Sequence, residues 1–255
     1  MGGNPTALLF KIMKPTNRNR LFFDIEVSPN IGMFWKSGYE IAVDHNSIIK
    51  ERAIICICYK WEGQKKVYSL RWDKKQNDKK MVADFIKVAN GASELVGQNG
   101  DRFDIKWIRT RALIHGIEWT PYINTLDTLK MARNSFNFNS NRLDYLGKIL
   151  LDKGKLETGF GLWKEIVLYN SESAMLKMIK YCKNDVTLLE EVFNKFRPYI
   201  KPKLSYAIDR GSCPECDSKD LIINKSSTLA SGNFKVQFSC KSCGTYHTKT
   251  VINKK

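Results

Sequence analysis

The stretch LFFDIEV (residues 21–27) places two acidic side chains inside a run that is otherwise apolar. Alternate residues of a β-strand point to opposite faces of a sheet, so Asp24 and Glu26 share one face. At a separation of about 5 Å and an effective dielectric constant of about 20, two such carboxylates repel each other by about 3 kcal/mol. A divalent cation between them would reverse the sign of that interaction. The alternative interpretation is an edge strand whose acidic residues face water.

Polar residues of the same kind lie in structured stretches later in the chain. Asp104 follows the turn at residues 99–101, at the predicted start of a helix. Tyr181 and Asp185 are four residues apart in YCKNDVTLLEEVF (181–193), which places them on one face of a helix. A cap of the helix N-terminus is the alternative role of Asp104, and a surface pair is the alternative for Tyr181 and Asp185.

These segments together predict a metal site. An ionised carboxylate in an apolar or structured stretch is costly unless something compensates its charge. We therefore expect the carboxyl groups of Asp24, Glu26, Asp104 and Asp185 to gather around divalent ions. Hard oxygen ligands suit Mg²⁺ or Mn²⁺, and such ions support the cleavage of phosphate esters.

The surrounding sequence predicts an α/β domain with a mixed central sheet flanked by helices. IICICY (residues 54–59) is apolar and rich in β-branched residues, as is typical of a buried central strand. The turn at residues 61–64 predicts an antiparallel hairpin into a strand at 65–70. Helices are predicted at 78–90, 102–115, 126–133, 142–151, 162–169 and 173–197, with a short strand at 94–97. Strands come first, then strands alternate with helices, then helices follow alone, which favours a mixed sheet with helical layers.

The three acidic segments, in this order and spacing, resemble the tyrosine-type DEDD exonucleases, which are related to the proofreading domain of family B DNA polymerases. The resemblance covers about residues 20–198 and extends to NRLDYLGKIL (141–150) and TGFGLWKEI (158–166). It implies a ribonuclease H-like fold and hydrolysis of the terminal phosphodiester bond at the 3′ end of nucleic acid by two metal ions. The histidine subtype has its histidine five residues before the last aspartate, where this chain has Lys180, so the tyrosine subtype is indicated.

The resemblance also implies a role for each matching residue. Four carboxylates would hold two Mg²⁺ or Mn²⁺ ions, and a tyrosine would orient the attacking water or a phosphate oxygen. These catalytic residues are Asp24, Glu26, Asp104, Tyr181 and Asp185, and the four acids among them are the metal ligands. Asn99 is expected to contact the terminal nucleotide. For Phe103 a buried core position is favoured, and stacking on a base is the alternative. Gln98 stands where relatives often carry histidine, so no titrating side chain is expected there.

A second group of motifs lies near the C-terminus. Two C-x2-C pairs are separated by a gap of 23 residues, and their members are Cys213, Cys216, Cys240 and Cys243. This spacing predicts a zinc ribbon at residues 208–255 whose one structural Zn²⁺ supplies folding energy, with disulfides or a redox pair as the alternatives. Phe234–Phe238 alternates apolar and polar residues as a half-buried strand does. Aromatic and basic residues beside a ribbon suit single-stranded nucleic acid, and the alternative is that they form the ribbon's own core.

Composition and net charge indicate the class of binding partner and the cellular compartment. The 255 residues are 43% hydrophobic and carry a net charge of +16, which favours a polyanionic partner over a merely solvated surface. Residues 1–19 are polar and are expected to form a flexible arm before an exonuclease domain at 20–200. We find no signal peptide and no apolar run near the roughly 18 residues of a membrane span. A cytoplasmic protein is expected, in the host cytoplasm for a virus, with a nuclear location left open.

The favoured hypothesis is a metal-dependent 3′–5′ exonuclease whose partner is nucleic acid, with single-stranded DNA as the preferred substrate. A 3′–5′ exoribonuclease is one alternative, since no residue visibly reads a 2′-hydroxyl. A nucleic-acid-binding adaptor that uses the nuclease fold as a platform is the other. The complete set of five active-site residues argues against the adaptor, because inactive relatives usually lose a carboxylate.

Overall fold

The computed structural model describes residues 18–36, 38, 40, 42–119, 123–156, 158–202, 205, 207 and 211–252. Of the predicted N-terminal arm, only residues 18 and 19 fall within these ranges. The chain divides into two compact units. The larger unit contains Arg20–Lys130 and Asn139–Val192, and the smaller unit contains Met131–Phe138 and the other described residues. The domain boundaries near residues 20, 200 and 208 stay a prediction. Within the described ranges, no helix has both the length and the apolar character needed to cross a bilayer.

The larger unit is built on a five-stranded mixed sheet with β1 in the middle. Its strands are β1 (Arg20–Val27), β4 (Ile54–Trp61), β5 (Tyr68–Arg71), β6 (Glu94–Gly97) and β7 (Asn124–Asp127). β4 pairs antiparallel with both β1 and β5, while β6 pairs parallel with both β1 and β7. Every residue in the first half of β1 and the first six of β4 are buried, because these are the apolar runs that favour a central strand. The predicted mixed sheet and its antiparallel opening are confirmed.

A short hairpin between β1 and β4 was not predicted. Its strands are β2 (Ile31–Gly32) and β3 (Ile48–Lys50), which pair antiparallel. A Cβ atom on Gly32 would lie 2.7 Å from the backbone oxygen of Ser47, so only glycine lets the two strands approach this closely. Strands of two and three residues are too short to show an alternating pattern in the sequence.

Helices supply the remainder of the regular structure. The described α-helices are α1 (Lys79–Ala89), α2 (Asp104–Ile114), α3 (Thr128–Ser135), α4 (Leu143–Leu151), α5 (Phe160–Tyr169) and α6 (Glu172–Phe196). α1 places Phe85 against Phe23 of β1, with ring centroids 5.4 Å apart. The predicted helix at 126–133 is wrong at its start, because pairing with β6 keeps the chain extended to Asp127. The helix predicted at 173–197, for which a break was allowed, is a continuous helix of 25 residues.

One buried carboxylate joins α1, α2 and β4. Asp78 immediately precedes α1 and is fully buried. Arg111 of α2 donates to it from Nε and Nη2 at 2.7 and 2.8 Å, His115 Nε2 lies 2.6 Å from Oδ1, and the Ile54 N–H donates at 2.9 Å. Burial alone would favour the neutral acid, but the hydrogen bonds from Arg111 and His115 outweigh it and hold the pKa of Asp78 below its ordinary value.

The smaller unit contains a three-stranded antiparallel sheet in the order β10-β9-β8. Its strands are β8 (Leu221–Thr228), β9 (Phe234–Cys240) and β10 (Tyr246–Val251). The strand predicted at Phe234–Phe238 forms the first five residues of β9. Glu215 is buried beside this sheet's cysteine pairs and forms ion pairs with Arg18 and with Arg197, whose Nε lies 3.0 Å from Oε1.

Candidate active site

The larger unit brings the four predicted acidic residues together. Carboxylate oxygens of Asp24, Glu26 and Asp185 lie within 4.8 Å of one another. Asp104 joins them because its Oδ1 accepts a hydrogen bond at 3.1 Å from the N–H of Ile25, the residue between the two acids of β1. β6 pairs in parallel with the first residues of β1, so the segment that follows β6 runs beside the acidic end of β1 and starts α2 there. The central strand and two helices therefore supply one acidic cluster.

Each carboxyl group of the cluster has a pKa above its ordinary value. Burial, followed by repulsion from Asp104 and Glu26, raises the pKa of Asp24 well above its usual range. Burial and the nearby Asp185 raise the pKa of Glu26 to about 8. Burial raises the pKa of Asp104 to about 7 against two backbone hydrogen bonds, and it also raises the pKa of Asp185. The raised pKa values mean that burial and mutual repulsion disfavour four ionised carboxylates in this pocket, a cost that a bound cation would offset.

The cluster has the donor set that divalent ions require. Oδ2 of Asp24 and Oδ1 of Asp185 are buried without a hydrogen-bond partner among the described residues. A buried acceptor in that state costs about 1–3 kcal/mol, and more when it is charged. Carboxylate oxygens alone, with several of them unsatisfied, are the ligands that Mg²⁺ and Mn²⁺ prefer. The residues present thus fit metal ions of this class.

Lys155 is the functional residue that the sequence did not reveal. Its ammonium forms an ion pair with Oδ2 of Asp185, and its Nζ lies 3.3 Å from the hydroxyl of Tyr181 and 5.3 Å from the centroid of that ring. Its backbone N–H donates to Oδ1 of Asp144 at 2.8 Å, which fixes the loop after α4. Burial would lower the pKa of Lys155, but the attraction of Asp185 outweighs burial and raises it. Lys155 lies in a loop, and no spacing pattern distinguishes it from the many other lysines of the chain.

Tyr181 lies on α6 one helical turn before Asp185, as its spacing predicted. Burial, and then the negative charge of Asp185, raises the pKa of Tyr181 to about 12. The phenol is consequently protonated at neutral pH. Its hydroxyl can donate one hydrogen bond to an oxygen in the pocket while it accepts one from the ammonium of Lys155.

Three thiols support the acidic strand from the adjoining elements. Cys56 and Cys58 of β4 lie opposite Glu26 and Asp24 in the strand register, and their sulfurs lie within 4.8 Å of that of Cys182 on α6. All three are buried and free. The thiol of Cys182 donates to the backbone oxygen of Asp24 at 3.4 Å. β4 and α6 thus meet beside the cluster, on the same face of the sheet as Asp24 and Glu26.

The turn before α2 begins with a residue in the left-handed backbone region. Asn99 adopts a positive φ of 60°, and its N–H donates to Oδ1 of Asp127 at 2.9 Å. Phe103 is 40% exposed and contacts Trp107 edge-on, with ring centroids 6.5 Å apart. The favoured interpretation of Phe103 as a core residue is therefore wrong. Its exposed ring is free of the packing constraints of the core and can contact a base.

The four cysteines of the smaller unit form a second candidate metal site. Their sulfur atoms lie within 4.8 Å of one another, and all four cysteines, Cys213, Cys216, Cys240 and Cys243, are free. The sulfur of Cys213 lies 3.7 Å from that of Cys243, and the sulfur of Cys216 lies 3.6 Å from that of Cys240. A tetrahedral Zn²⁺ with Zn–S bonds of about 2.3 Å places its sulfur ligands about 3.8 Å apart. These separations fit zinc and are too long for the disulfide alternative.

Some of the aromatic and basic residues beside these cysteines are packed together, and others are partly exposed. His247 is 3% exposed and stacks on Phe238, with ring centroids 5.3 Å apart. Lys249 lies over the same Phe238 ring at 5.7 Å and donates to the backbone oxygen of Ser212. These residues form a small core, which is the alternative that the sequence left open. Tyr246 and Phe234 stay partly exposed.

A family model matches part of the larger unit. Residues 45–152 match a family described as a predicted 3′–5′ exonuclease related to the exonuclease domain of PolB. The matched range includes Asp104 and the turn before it, and it excludes the acids of β1 and α6. No curated protein matches the chain.

Among solved structures, the chain is similar to the family B DNA polymerase from the hyperthermophilic archaeon Pyrobaculum calidifontis. The TM-score is 0.54 and the sequence identity is 16%, over 72% of this chain and 25% of the polymerase chain. The likeness shows a shared fold. The chain spans about a quarter of the polymerase's length.

Proposed function

We propose that this protein is a metal-dependent 3′–5′ exonuclease of the tyrosine type that removes nucleotides from single-stranded DNA. The observation that carries the proposal is the convergence of Asp24, Glu26, Asp104 and Asp185 with Tyr181 from three separate segments of the chain. The partial match to a predicted exonuclease family and the fold shared with a polymerase support the same activity.

The four carboxylates would hold two divalent ions. Bound Mg²⁺ or Mn²⁺ ions would stabilise the charge that develops at the scissile phosphate and lower the pKa of an attacking water. β1, α2 and α6 supply the negative charge that would balance such ions, and the fold keeps Asp104 and Asp185 out of bulk water. Water exclusion strengthens each electrostatic contact that the substrate makes here.

Two side chains would contact the attacking water and the scissile phosphate. The protonated Tyr181 donates its hydroxyl hydrogen to the attacking water or to a phosphate oxygen. Lys155 holds that hydroxyl from the other side and presents a positive charge to the scissile phosphate. Residue 180 is lysine, so no imidazole base is available at the position where the histidine subtype has one.

Two further assignments accompany the activity. Cys213, Cys216, Cys240 and Cys243 would hold a structural Zn²⁺, because four thiolates fill its tetrahedral shell and leave no position for a reactive water. Asn99 and Phe103 would contact the terminal nucleotide, since the turn that carries them leads directly into Asp104. DNA is preferred to RNA because the structural relative is a DNA polymerase.

Matched oligonucleotides test the proposal. Single strands of DNA and RNA of one sequence, labelled at the 5′ end, are incubated with the protein in Mg²⁺, in Mn²⁺ and in chelator. We expect a ladder of progressively shorter DNA products with metal and intact strands with chelator. Tight binding without products contradicts an enzyme and supports an adaptor, and shortening of RNA alone contradicts the preference for DNA.

A further inference from the structure

A cleft borders Tyr181, and none of the four acids is among its described lining residues. It has a volume of about 530 Å³ and lies between the segment that begins α5 and the middle of α6. Gly159 and Gly161 form part of its wall, and a Cβ atom on either would meet nothing within 4 Å, so that wall is low and open. Because Tyr181 also lines the cleft, the cleft is continuous with the acidic cluster.

Two exposed cations line the cleft. Lys177 and Lys180 of α6 line it and are both exposed. Neither lysine forms an ion pair with any of the described residues. Among the described residues that line the cleft, Glu165 is the acidic one, so the two described cations outnumber it. Lysine is a point charge on a flexible stem, which suits backbone phosphates better than base edges.

The positions along α6 give the cleft a direction. Lys177, Tyr181 and Asp185 are each four residues apart, so they follow one another on a single face of the helix. At 1.5 Å per residue, each step along this face is about 6 Å, which one extended nucleotide can span. A strand whose scissile phosphate lies at Asp185 and Tyr181 would therefore bring its next phosphate to Lys177 and Lys180.

We infer that this cleft binds the phosphate backbone of the nucleic-acid strand immediately 5′ of the scissile bond, through Lys177 and Lys180. The inference rests on the proposed function and assigns the path of its substrate. The two lysines bind the strand and do not touch the reacting atoms. Their removal should consequently weaken the binding of strands without changing the chemical step.

Salt-dependent binding provides the first test. The double variant Lys177→Gln/Lys180→Gln is compared with Lys65→Gln/Lys66→Gln, which removes two exposed charges from the β4–β5 turn. Binding of a fluorescent dT12 strand is measured in chelator at several salt concentrations, so no cleavage is needed. For single strands, each phosphate contact contributes about 0.7 to the magnitude of the slope of log K against log salt. The slope of the Lys177→Gln/Lys180→Gln variant should therefore be smaller than that of wild type by about 1.4, and the slope of the control should change much less. Equal slopes in the two variants overturn the inference.

Cleavage of two substrates separates this inference from the proposed function. In Mg²⁺, the Lys177→Gln/Lys180→Gln variant should show a KM for dT12 raised at least several-fold and an unchanged kcat. The p-nitrophenyl ester of thymidine 5′-monophosphate has no upstream strand, so wild type and variant should hydrolyse it equally. A variant that loses activity on this ester contradicts the assignment of the lysines to the strand. Wild-type protein that cleaves neither substrate contradicts the proposed function. The salt dependence of binding would then still show whether the cleft binds the strand.

Discussion

At the residue scale, the cost of burying carboxyl groups together dominates the candidate site. Asp104 is 3% exposed and Asp185 is 1% exposed, and both have raised pKa values. The sequence predicts this cluster because the spacing of D-x-E and Y-x-x-x-D fixes the face of each element. It does not predict Lys155, because that contact depends on where the loop after α4 meets α6, and loop conformation leaves no periodic signal.

Asp24→Asn tests the metal ligands. The change removes one ligand and one of four repelling charges, so cleavage should fall by more than about a hundredfold. Without metal, the variant should unfold at a higher temperature than wild type, with a gain of about 1–2 kcal/mol from relieved repulsion. Activity assays and metal-free thermal unfolding measure the two effects. Asp84→Asn on α1, which removes a surface ion pair with Lys80, is the control; it should keep full activity and gain no stability without metal. A fully active Asp24→Asn protein contradicts the ligand assignment.

Lys155→Met tests the ion pair between the Lys155 ammonium and Asp185. Without metal, the variant leaves the buried Asp185 unpaired, and breaking a buried pair costs about 3–5 kcal/mol. Added Mg²⁺ should restore much of this loss, because the ion compensates the same carboxylates. The gap in unfolding temperature between chelator and Mg²⁺ should therefore be wider for the variant than for wild type. Lys153→Met, which removes a surface pair with Glu191, serves as the control. An unchanged gap would show that Lys155 and the metal ions act independently.

At the element scale, tertiary pairing decides what local sequence leaves open. The strand at Glu94–Gly97 and the long helix α6 follow from clear apolar patterns. β7 does not, because NTLD has no alternating pattern and becomes extended only by pairing with β6. The strand expected at 65–70 begins later, at Tyr68, where pairing with Tyr59 of β4 starts.

Asp78 should make the junction of α1, α2 and β4 sensitive to acid. Its pKa is lowered in the folded protein, so its carboxylate stabilises the fold above its ordinary pKa of about 3.8 and the contribution disappears as pH falls through the folded value. Asp78→Asn leaves the Arg111 guanidinium without its partner and should cost about 3–5 kcal/mol at pH 7. The difference between wild type and variant should shrink below about pH 4. Urea unfolding at pH 7 and pH 3 measures it, and a constant difference would contradict this role.

At the scale of the whole molecule, two chemically distinct candidate metal sites occupy separate units. The larger unit gathers carboxylate oxygens for hard ions, and the smaller unit gathers four thiols for zinc. The zinc motif is predictable because C-x2-C spacing is local, whereas the acids converge over some 160 residues of sequence. The three-stranded sheet beside the four cysteines has a small apolar core around Phe238 and His247, so we expect metal binding to supply the folding energy of this part of the smaller unit.

Cys240→Ser tests the structural role of zinc. Wild-type protein should contain one zinc per chain by atomic absorption, and the variant should contain less and lose the protease resistance of residues 211–252. Hydrolysis of the p-nitrophenyl ester of thymidine 5′-monophosphate should persist, because the acidic cluster belongs to the other unit. Ser242→Ala, between the cysteines of the same pair, is the control. A variant that keeps protease resistance without zinc would contradict a structural metal.

Anomalous diffraction from crystals grown with Mn²⁺ tests the central claim most directly. We predict two manganese peaks about 3.5–4 Å apart, bound by carboxylate oxygens of Asp24, Glu26, Asp104 and Asp185, with the Lys155 ammonium displaced from Asp185 or shared with it. Crystals of active protein that show no manganese among these four side chains, or manganese bound elsewhere, would contradict the account.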